Sequence, residues 1–167
     1  MTDHGEPRWL DAEERAAWLS WIAATTLLEA ALDRQLQRDA GMPMAYYQIL
    51  VMLSEAPDRT LRMGELADRT LSSHSRISHA VSRLEERGWV RRETCPGDRR
   101  RTFCTLTDEG LAVLAAAAPG HVNEVRKYLF DRLTREQVRQ LMEITNEIRA
   151  GLTGEFVDPT EGAPAHV

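Results

Sequence analysis

Residues 70–110 have the sequence TLSSHSRISHAVSRLEERGWVRRETCPGDRRRTFCTLTDEG. The first half of this stretch, with the residues just before it, predicts two helices joined by a tight turn. Gly64 to Arg69 forms the first, short helix and Thr70-Leu71-Ser72 forms the turn. Ser72 or Ser73 then caps a second helix, which ends at Gly88. This order predicts a helix-turn-helix.

The second half of the stretch predicts a β-hairpin. Trp89 to Thr94 and Thr102 to Leu106 are rich in aromatic and β-branched residues, as strands are. Cys95-Pro96-Gly97-Asp98 lies between them and is typical of a turn. Thr107 then caps a long helix whose first turn is acidic. A hairpin directly after a helix-turn-helix is a wing, and it places one helix and one loop side by side.

The second helix of the motif has two different faces. Ile77, Val81 and Leu84 recur at helical spacing and predict a buried stripe. The other face carries hydroxyl, imidazole and guanidinium groups, which suit a DNA major groove, where Arg bonds guanine and hydroxyls reach phosphates. The predicted DNA-binding residues of this helix and its cap are Ser73, His74, Ser75, Arg76, Ser78, His79, Ser82 and Arg83. A solvated helix face is the alternative for such a pattern taken alone.

The tip of the hairpin, Gly97 to Arg101, is too polar for a buried turn. Clustered Arg side chains in a loop can enter a minor groove, where narrow A·T-rich stretches concentrate negative potential. We expect Asp98 to brace Arg100, with Arg99 or Arg101 on the DNA backbone. A flexible charged loop is the alternative interpretation of this segment.

The distribution of charge supports a polyanion as the partner of this stretch. The net charge of the 167 residues is −5, which by itself argues against nucleic acid. Residues 69–101, however, hold nine Arg against four acidic residues, a local net charge of +5, so the remainder carries −10. A local basic patch decides where a polyanion docks, and the acidic remainder repels it elsewhere.

Helices are predicted on both sides of the motif. The first starts near Trp9 or Asp11 and runs to about Arg38, where Gly41 and Pro43 end it. Its apolar residues at helical spacing are Leu10, Trp18, Trp21, Ile22, Leu28, Leu32 and Leu36. A second helix covers about Met44 to Glu55, and a very short strand follows at Leu61-Arg62-Met63.

The chain after the hairpin is predicted to form two more helices. The helix that Thr107 caps continues through Leu129 and Leu133, but Pro119-Gly120 should kink or interrupt it. Thr134-Arg135-Glu136-Gln137 is a capping box for the last helix. That helix carries Val138, Leu141, Ile144 and Ile148 on one face. These apolar faces are long for a monomer of this size and favour burial in a second copy.

The run RLEERGWVRRETCPGDRRRTFCTLTDEG, residues 83–110, resembles the signature of the MarR family of winged-helix regulators. The resemblance lies in the recognition helix, an LxxRGxVxR segment, an Asp-x-Arg wing tip and LTxxG, and with the helical arms it covers about residues 9–152. It implies a mainly α fold with a small β-hairpin wing (α+β), a winged helix-turn-helix domain flanked by helical dimerisation arms. It carries over five groove-facing residues and the wing pair of Asp98 and Arg100; the five are Ser75, Arg76, Ser78, His79 and Arg83. Trp89 departs from the family, which more often has a smaller aliphatic residue there.

The same resemblance implies the domain organisation and the function. The expected segments are a disordered N-terminus 1–8, an N-terminal dimerisation helix 9–40, a DNA-binding domain 41–106, C-terminal dimerisation helices 107–153 and a disordered tail 154–167. The expected function is sequence-specific regulation of transcription, as a repressor, by a homodimer on a pseudo-palindromic operator. The expected partners are double-stranded DNA, a second copy of the chain and a small aromatic or phenolic effector.

No site for an effector or a metal is predicted from the residues. Trp18, Trp21, Tyr46, Tyr47 and Arg15 are candidates to line an effector cavity, but aromatic residues at helical spacing more often belong to the core. His74, His79 and Cys95 do not have a recognisable zinc-binding spacing, so no metal and no cofactor is expected. Cys95 and Cys104 flank the tip of the hairpin, which could bring them near each other; incidental thiols are favoured over redox sensors.

Other functional classes fit the sequence less well. A winged-helix module that binds protein is the main alternative to DNA binding. An enzyme is not expected, because Glu85 and Glu86 point about 100° apart on a helix and no nucleophile–base set or phosphate-binding Gly loop occurs. No apolar run reaches the length of a membrane span and the N-terminus lacks a signal-peptide pattern, so the cytoplasm is the expected location.

Overall fold

The computed structural model describes residues 7–95 and 98–153, with their side chains except those of residues 95 and 98–101. These residues form six α-helices and a three-stranded antiparallel sheet, which confirms the predicted fold class. The helices are α1 (Ala12–Ala40), α2 (Met44–Ser54), α3 (Met63–Arg69), α4 (His74–Glu86), α5 (Asp108–Tyr128) and α6 (Arg135–Thr153). The strands are β1 (Thr60–Arg62), β2 (Val90–Cys95) and β3 (Asp98–Leu106). The two segments predicted to be disordered lie outside the described residues, apart from residues 7 and 8.

Helix α1 is defined at both ends by local chemistry. Asp11 and Glu14 form a capping box, in which the Glu14 amide donates to Asp11 Oδ1 at 2.8 Å and the Asp11 amide donates to Glu14 Oε2 at 2.9 Å. Gly41 ends the helix at φ 61°, in the left-handed region that glycine adopts without strain. Only the C-terminal half of α1 has buried side chains; these are Leu32, Gln35 and Leu36.

The core lies where α2, α3 and α4 pack on the small sheet. Its buried side chains include Tyr47, Leu50 and Leu53 of α2, Leu66 and Ala67 of α3, Ile77, Val81 and Leu84 of α4, and Leu61, Val90, Cys104 and Leu106 of the strands. In the sheet β3 lies between β1 and β2, and Cys104 is opposite Leu61 on one side and Arg92 on the other. The helix-turn-helix and its hairpin therefore share one core.

Helix α5 begins where it was predicted to begin, and it is not interrupted. Thr107 caps it, since the Gly110 amide donates to Thr107 Oγ1 at 3.0 Å. Of the kink or interruption expected at Pro119-Gly120, the interruption is wrong, because α5 continues through both residues to Tyr128. A proline costs the helix one N–H donor, and packing on α1 supports the helix there: a Cβ at Gly120 would lie only 3.0 Å from Gln35 Nε2.

The segment after α5 also differs from the prediction. Leu129 and Leu133 do not belong to α5, because a 3₁₀ turn at Phe130–Arg132 separates α5 from α6. The predicted capping box at α6 is present: the Gln137 amide donates to Thr134 Oγ1 at 3.2 Å and the Thr134 amide donates to Gln137 Oε1 at 2.9 Å. Within this single chain α6 buries no residue. None of the described helices has the length and apolar character needed to cross a membrane.

Candidate nucleic-acid interface

Helix α4 is attached to the core by one face and leaves the other face open. Ile77, Val81 and Leu84 are the buried residues, as the spacing predicted. Ser73 is the cap, and its Oγ accepts a hydrogen bond from the Arg76 amide at 3.4 Å. The helix is thus fixed along its length by apolar contacts while its polar face needs no contact with the rest of the chain.

The predicted DNA-binding residues of α4 lie on its open face. Seven of the eight are exposed; these are Ser73, His74, Ser75, Arg76, Ser78, His79 and Arg83. Ser82 is half-buried and its hydroxyl donates to the Ser78 carbonyl at 2.9 Å, so its proton is engaged within the helix. The imidazole of His74 lies beside the start of α3, where a Cβ at Gly64 would be 3.6 Å from His74 Cε1.

Most of the positive charge around α4 is paired with acidic side chains. The ion pairs are Arg69 with Glu65 at 2.7 Å, Arg83 with Glu86 at 2.8 Å, Arg91 with Glu93 at 3.0 Å and Arg92 with Glu85 at 2.5 Å. Among the described residues Arg76 makes no ion pair. Arg76 therefore projects from the first turn of α4 as a full, uncompensated charge.

The pair of Glu85 and Arg92 connects α4 to the wing. Arg92 donates to Glu85 Oε2 from Nε at 2.8 Å, and its amide donates to Glu85 Oε1 at 3.0 Å. These hydrogen bonds lower the pKa of the Glu85 carboxyl. In the sequence Glu85 stands out only as the neighbour of Glu86. Its partner Arg92 lies seven residues later on a strand, and helical spacing does not reveal that contact.

Arg87 connects the end of α4 to the end of α1. Its Nη1 donates to the Gly41 carbonyl at 3.1 Å. Its guanidinium carbon lies 4.9 Å from the centre of the Trp89 ring and 5.6 Å from that of Tyr46, distances typical of cation–π contacts. The sequence places Arg87 in the basic patch and does not predict this structural role. The position of Arg87 next to Gly88, at the end of the helix, is the feature of the sequence that indicates it.

The wing hairpin is longer than predicted. Strand β3 begins at Asp98, so the backbone of Arg99 to Arg101 belongs to a strand and not to a loop. Pairing with β2 extends the strand, since Thr102 lies opposite Thr94 and Asp98 opposite Cys95. The expected brace between the side chains of Asp98 and Arg100, like the DNA contacts of Arg99 and Arg101, lies outside the described side chains.

The two cysteines are not placed for a disulfide. Cys95 pairs with Asp98, while Cys104 pairs with Arg92, which lies three residues before Cys95 on β2, so the two cysteine positions are about 10 Å apart along the ladder. Burial raises the pKa of the Cys104 thiol to about 12, so it carries almost no thiolate. The backbone of the hairpin thus keeps the two cysteine positions apart.

The aromatic candidates for an effector cavity do not converge within one chain. Trp18 and Trp21 are exposed, by 54% and 39%, and Arg15 is exposed as well. Tyr46 is engaged by Arg87, whereas Tyr47 is buried in the core. The expectation of core packing thus holds for Tyr47 and is wrong for Trp18 and Trp21 within a single chain.

A buried polar cluster joins α1, α2 and α5. The ring of Tyr47 lies 4.5 Å from that of His121, centre to centre, and Gln35 borders a cavity of about 180 Å³ beside Asp39 and Gly120. Tyr47 OH, His121 Nδ1 and Gln35 Oε1 have no hydrogen-bond partner among the described residues. Burial raises the pKa of Tyr47 and lowers that of His121, so both groups are held neutral.

Comparison with known proteins identifies a matching family model and related regulators of transcription. The model of the MarR family matches residues 40–101. The transcriptional regulator HosA of Escherichia coli O111:H- is 33% identical over 101 residues, covering 60% of this chain and 74% of that protein. The transcriptional repressor MprA of Escherichia coli strain K12 is 26% identical over 112 residues, covering 67% and 63%.

Solved structures match over nearly the whole chain. Sco3205, a MarR family transcriptional regulator from Streptomyces coelicolor solved in complex with DNA, is 57% identical with a TM-score of 0.85, covering 94% of this chain and 95% of that one. AbsC, a MarR family transcriptional regulator from the same organism, is 39% identical with a TM-score of 0.83, covering 89% of this chain and 100% of that one. The matched region includes the helices on both sides of the winged motif.

Proposed function

Since this chain belongs to the MarR family of transcriptional regulators, as the resemblance in residues 83–110 predicted, we propose that it binds double-stranded DNA in a sequence-specific manner. Helix α4 enters the major groove and the β2–β3 hairpin lies on the adjacent minor groove. The observation that carries this proposal is the open polar face of α4, from which Arg76 projects without an ion pair in the described part of the chain. Its relatives are regulators of transcription, which agrees with the prediction that the chain is not an enzyme.

The assembly that we propose is a homodimer. The arms expose large apolar side chains, among them Trp18, Trp21, Ile144 and Leu152, at 39–81% of their surface. A groove of about 710 Å³ runs between α1 and α6 and is lined by residues such as Trp21, Leu28 and Leu141. Apolar surface of this extent is typical of an interface. A second copy related by two-fold symmetry would cover it and would place two α4 helices about one DNA turn apart, ~34 Å.

We further propose that binding represses transcription at a pseudo-palindromic operator. A bound dimer on a promoter blocks other proteins from the same DNA, and one relative is a transcriptional repressor by name. We also propose the domain organisation of the chain: dimerisation arms at 9–40 and 107–153 flank a DNA-binding domain at 41–106. A small aromatic or phenolic effector that releases the DNA stays a prediction from the family resemblance.

The experiment that tests DNA binding combines selection, mutation and salt. The purified protein is used to select fragments of genomic DNA, and the selected site is titrated with wild-type protein, Arg76→Ala and Arg139→Ala. We expect Arg76→Ala to weaken binding by about 1–3 kcal/mol, since a base contact is lost. Arg139, which pairs with Glu136 on α6, is the matched control for removing one Arg and should leave the affinity unchanged.

Ionic strength separates DNA binding from the protein-binding alternative. Affinity for the selected duplex should fall steeply as salt rises, because each neutralised phosphate releases counterions. Failure to select any DNA, or an affinity that does not respond to salt, would favour a winged-helix module that binds protein. Equal affinities for wild type and Arg76→Ala would show that the assignment of α4 is wrong.

A further inference from the structure

Leu71 combines two unfavourable features in the turn between α3 and α4. Its side chain is 90% exposed, more than any other large apolar side chain of the described residues. Its backbone is in the left-handed region, at φ 50°, where residues other than glycine are strained. The described part of the chain holds two other such residues, Asp58 and Arg59, and both are polar.

The turn that holds Leu71 is a motif that normally uses glycine. The Ser72 amide donates to the Ala67 carbonyl at 2.9 Å and the Leu71 amide donates to the Asp68 carbonyl at 3.1 Å. These two bonds, after the cap residue Thr70, are those of a Schellman motif, and Leu71 occupies the position where glycine relieves the strain. Ser72 Oγ also donates to the Thr70 carbonyl at 3.1 Å, so the turn is rigid.

No contact within the described part of the chain stabilises a leucine at position 71. A leucine in solvent forgoes the burial that makes apolar side chains stabilising, and glycine would fit the backbone better. Local rules of this kind are broken mostly at functional sites, where strain and exposure are offset by contacts with another molecule. The side chain of Leu71 therefore points to a contact outside this chain.

The position of Leu71 indicates what that other molecule is. It lies two residues before Ser73, the cap of α4, so its Cα is at most about 7 Å from that of Ser73. In helix-turn-helix proteins the N-terminal residues of the second helix reach the base edges in the major groove. The apolar group that DNA displays in that groove is the C5-methyl of thymine.

We propose that Leu71 contacts a thymine C5-methyl group in each half-site and is thereby a residue that determines sequence specificity. The proposal rests on the proposed function, because it requires α4 to lie in the major groove. It adds an apolar contact to a surface whose other members, from Ser73 to Arg83, are polar. Because the rigid turn fixes Leu71 before binding, the contact costs little ordering of the backbone.

The test uses thymine and deoxyuridine, which differ in the C5-methyl group alone. The probe is the duplex that wild-type protein selects from a random-sequence library, made once with thymine and once with deoxyuridine throughout. Each duplex is titrated with wild type, Leu71→Gly and Leu71→Asn. Gly and Asn both tolerate a left-handed backbone, so both variants keep the turn, and their melting temperatures should equal or exceed that of wild type.

Wild type should bind the deoxyuridine duplex about fourfold more weakly for each half-site, the effect of exposing one methyl group. Leu71→Gly and Leu71→Asn should bind both duplexes with one affinity, close to that of wild type on deoxyuridine. Equal losses on deoxyuridine in all three proteins, or no loss in wild type, would overturn the assignment of Leu71 while leaving DNA binding established. If wild type selects no duplex from the library, the proposed function itself fails, and this assignment fails with it.

Discussion

At the scale of single residues, the hydroxyl of Tyr47 lies in the core without a hydrogen-bond partner among the described residues. A buried hydroxyl that makes no hydrogen bond costs about 1–3 kcal/mol. We therefore expect Tyr47→Phe, which keeps the ring against His121, to leave the free energy of unfolding unchanged or to raise it by about 1 kcal/mol. Urea denaturation measures this. A loss above about 1 kcal/mol would mean that the hydroxyl is hydrogen-bonded in solution.

The neighbouring His121 makes stability depend on pH. Burial lowers its pKa below the ordinary value of 6.5, so the folded protein favours the neutral imidazole. Stability is therefore full above pH 6.5 and falls below it, because the unfolded chain binds the proton first, until His121 in the folded protein is protonated as well. We expect His121→Gln to flatten the fall of the urea midpoint from about pH 7.5 to about pH 5.5. His79→Gln, on the exposed face of α4, is the control and should keep the slope of wild type.

At the scale of secondary-structure elements, the junction of the wing with α5 depends on one glycine. A Cβ at Gly110 would lie 2.1 Å from the Trp89 carbonyl oxygen and 2.8 Å from Leu106 Cδ1. Because the nearest atom belongs to the backbone, α5 or the strand would have to move. We expect Gly110→Ala to destabilise the protein by about 2–3 kcal/mol, as overpacking of a core does.

Gly151→Ala is the matched control for that substitution. Gly151 lies in α6, where a Cβ would have no neighbouring atom within 4 Å, and alanine favours a helix by up to about 1 kcal/mol. Thermal denaturation of both variants should therefore move in opposite directions. A Gly110→Ala protein with the melting temperature of wild type would contradict the tight junction.

The starts of the helices could be predicted from the sequence because their causes are local. Ser73, Thr107 and Thr134 each accept a hydrogen bond from an amide three residues ahead, and this spacing is visible in the chain. The continuity of α5 through Pro119 was not predictable in this way, because it depends on packing against Gln35, which lies 84 residues earlier in the sequence.

In the candidate site, too, features with local causes could be predicted and features that depend on distant contacts could not. Periodicity in α4 separated the buried stripe from the exposed face without any knowledge of the fold. Which arginines are engaged within the chain could not be foreseen, because the partners of Arg87 and Arg92 are a carbonyl 46 residues away and a carboxylate on another element. The start of β3 at Asp98 likewise depends on pairing with β2.

At the scale of the whole molecule, the proposed dimer makes the exposed apolar arms the main determinant of assembly. Trp21 lines the groove between α1 and α6, so Trp21→Glu would place an unpaired charge in the covered interface. We expect the dimer dissociation constant to rise at least about 100-fold, with a matching loss of affinity for a two-half-site operator. Sedimentation velocity over a range of concentrations measures the first effect and DNA titration the second.

The control for this variant is Arg139→Glu, which also introduces a carboxylate on an arm but at an exposed position that does not line the groove between α1 and α6. It should sediment as wild type does. A Trp21→Glu protein that remains dimeric would place the interface on another surface of the arms.

Helix α1 is one uninterrupted rod of 29 residues, about 44 Å long, whose first half is exposed and whose second half packs on α5 and α2. In a dimer held by the first half, each added or deleted residue between the halves would turn the winged domain by about 100° and shift it by about 1.5 Å. Small changes in its length would therefore point α4 away from the DNA instead of adjusting its reach. A relative that binds half-sites at a new separation would have to lengthen or shorten α1 in steps close to whole helical turns. Insertions or deletions of one or two residues in α1 should therefore be rare among functional relatives.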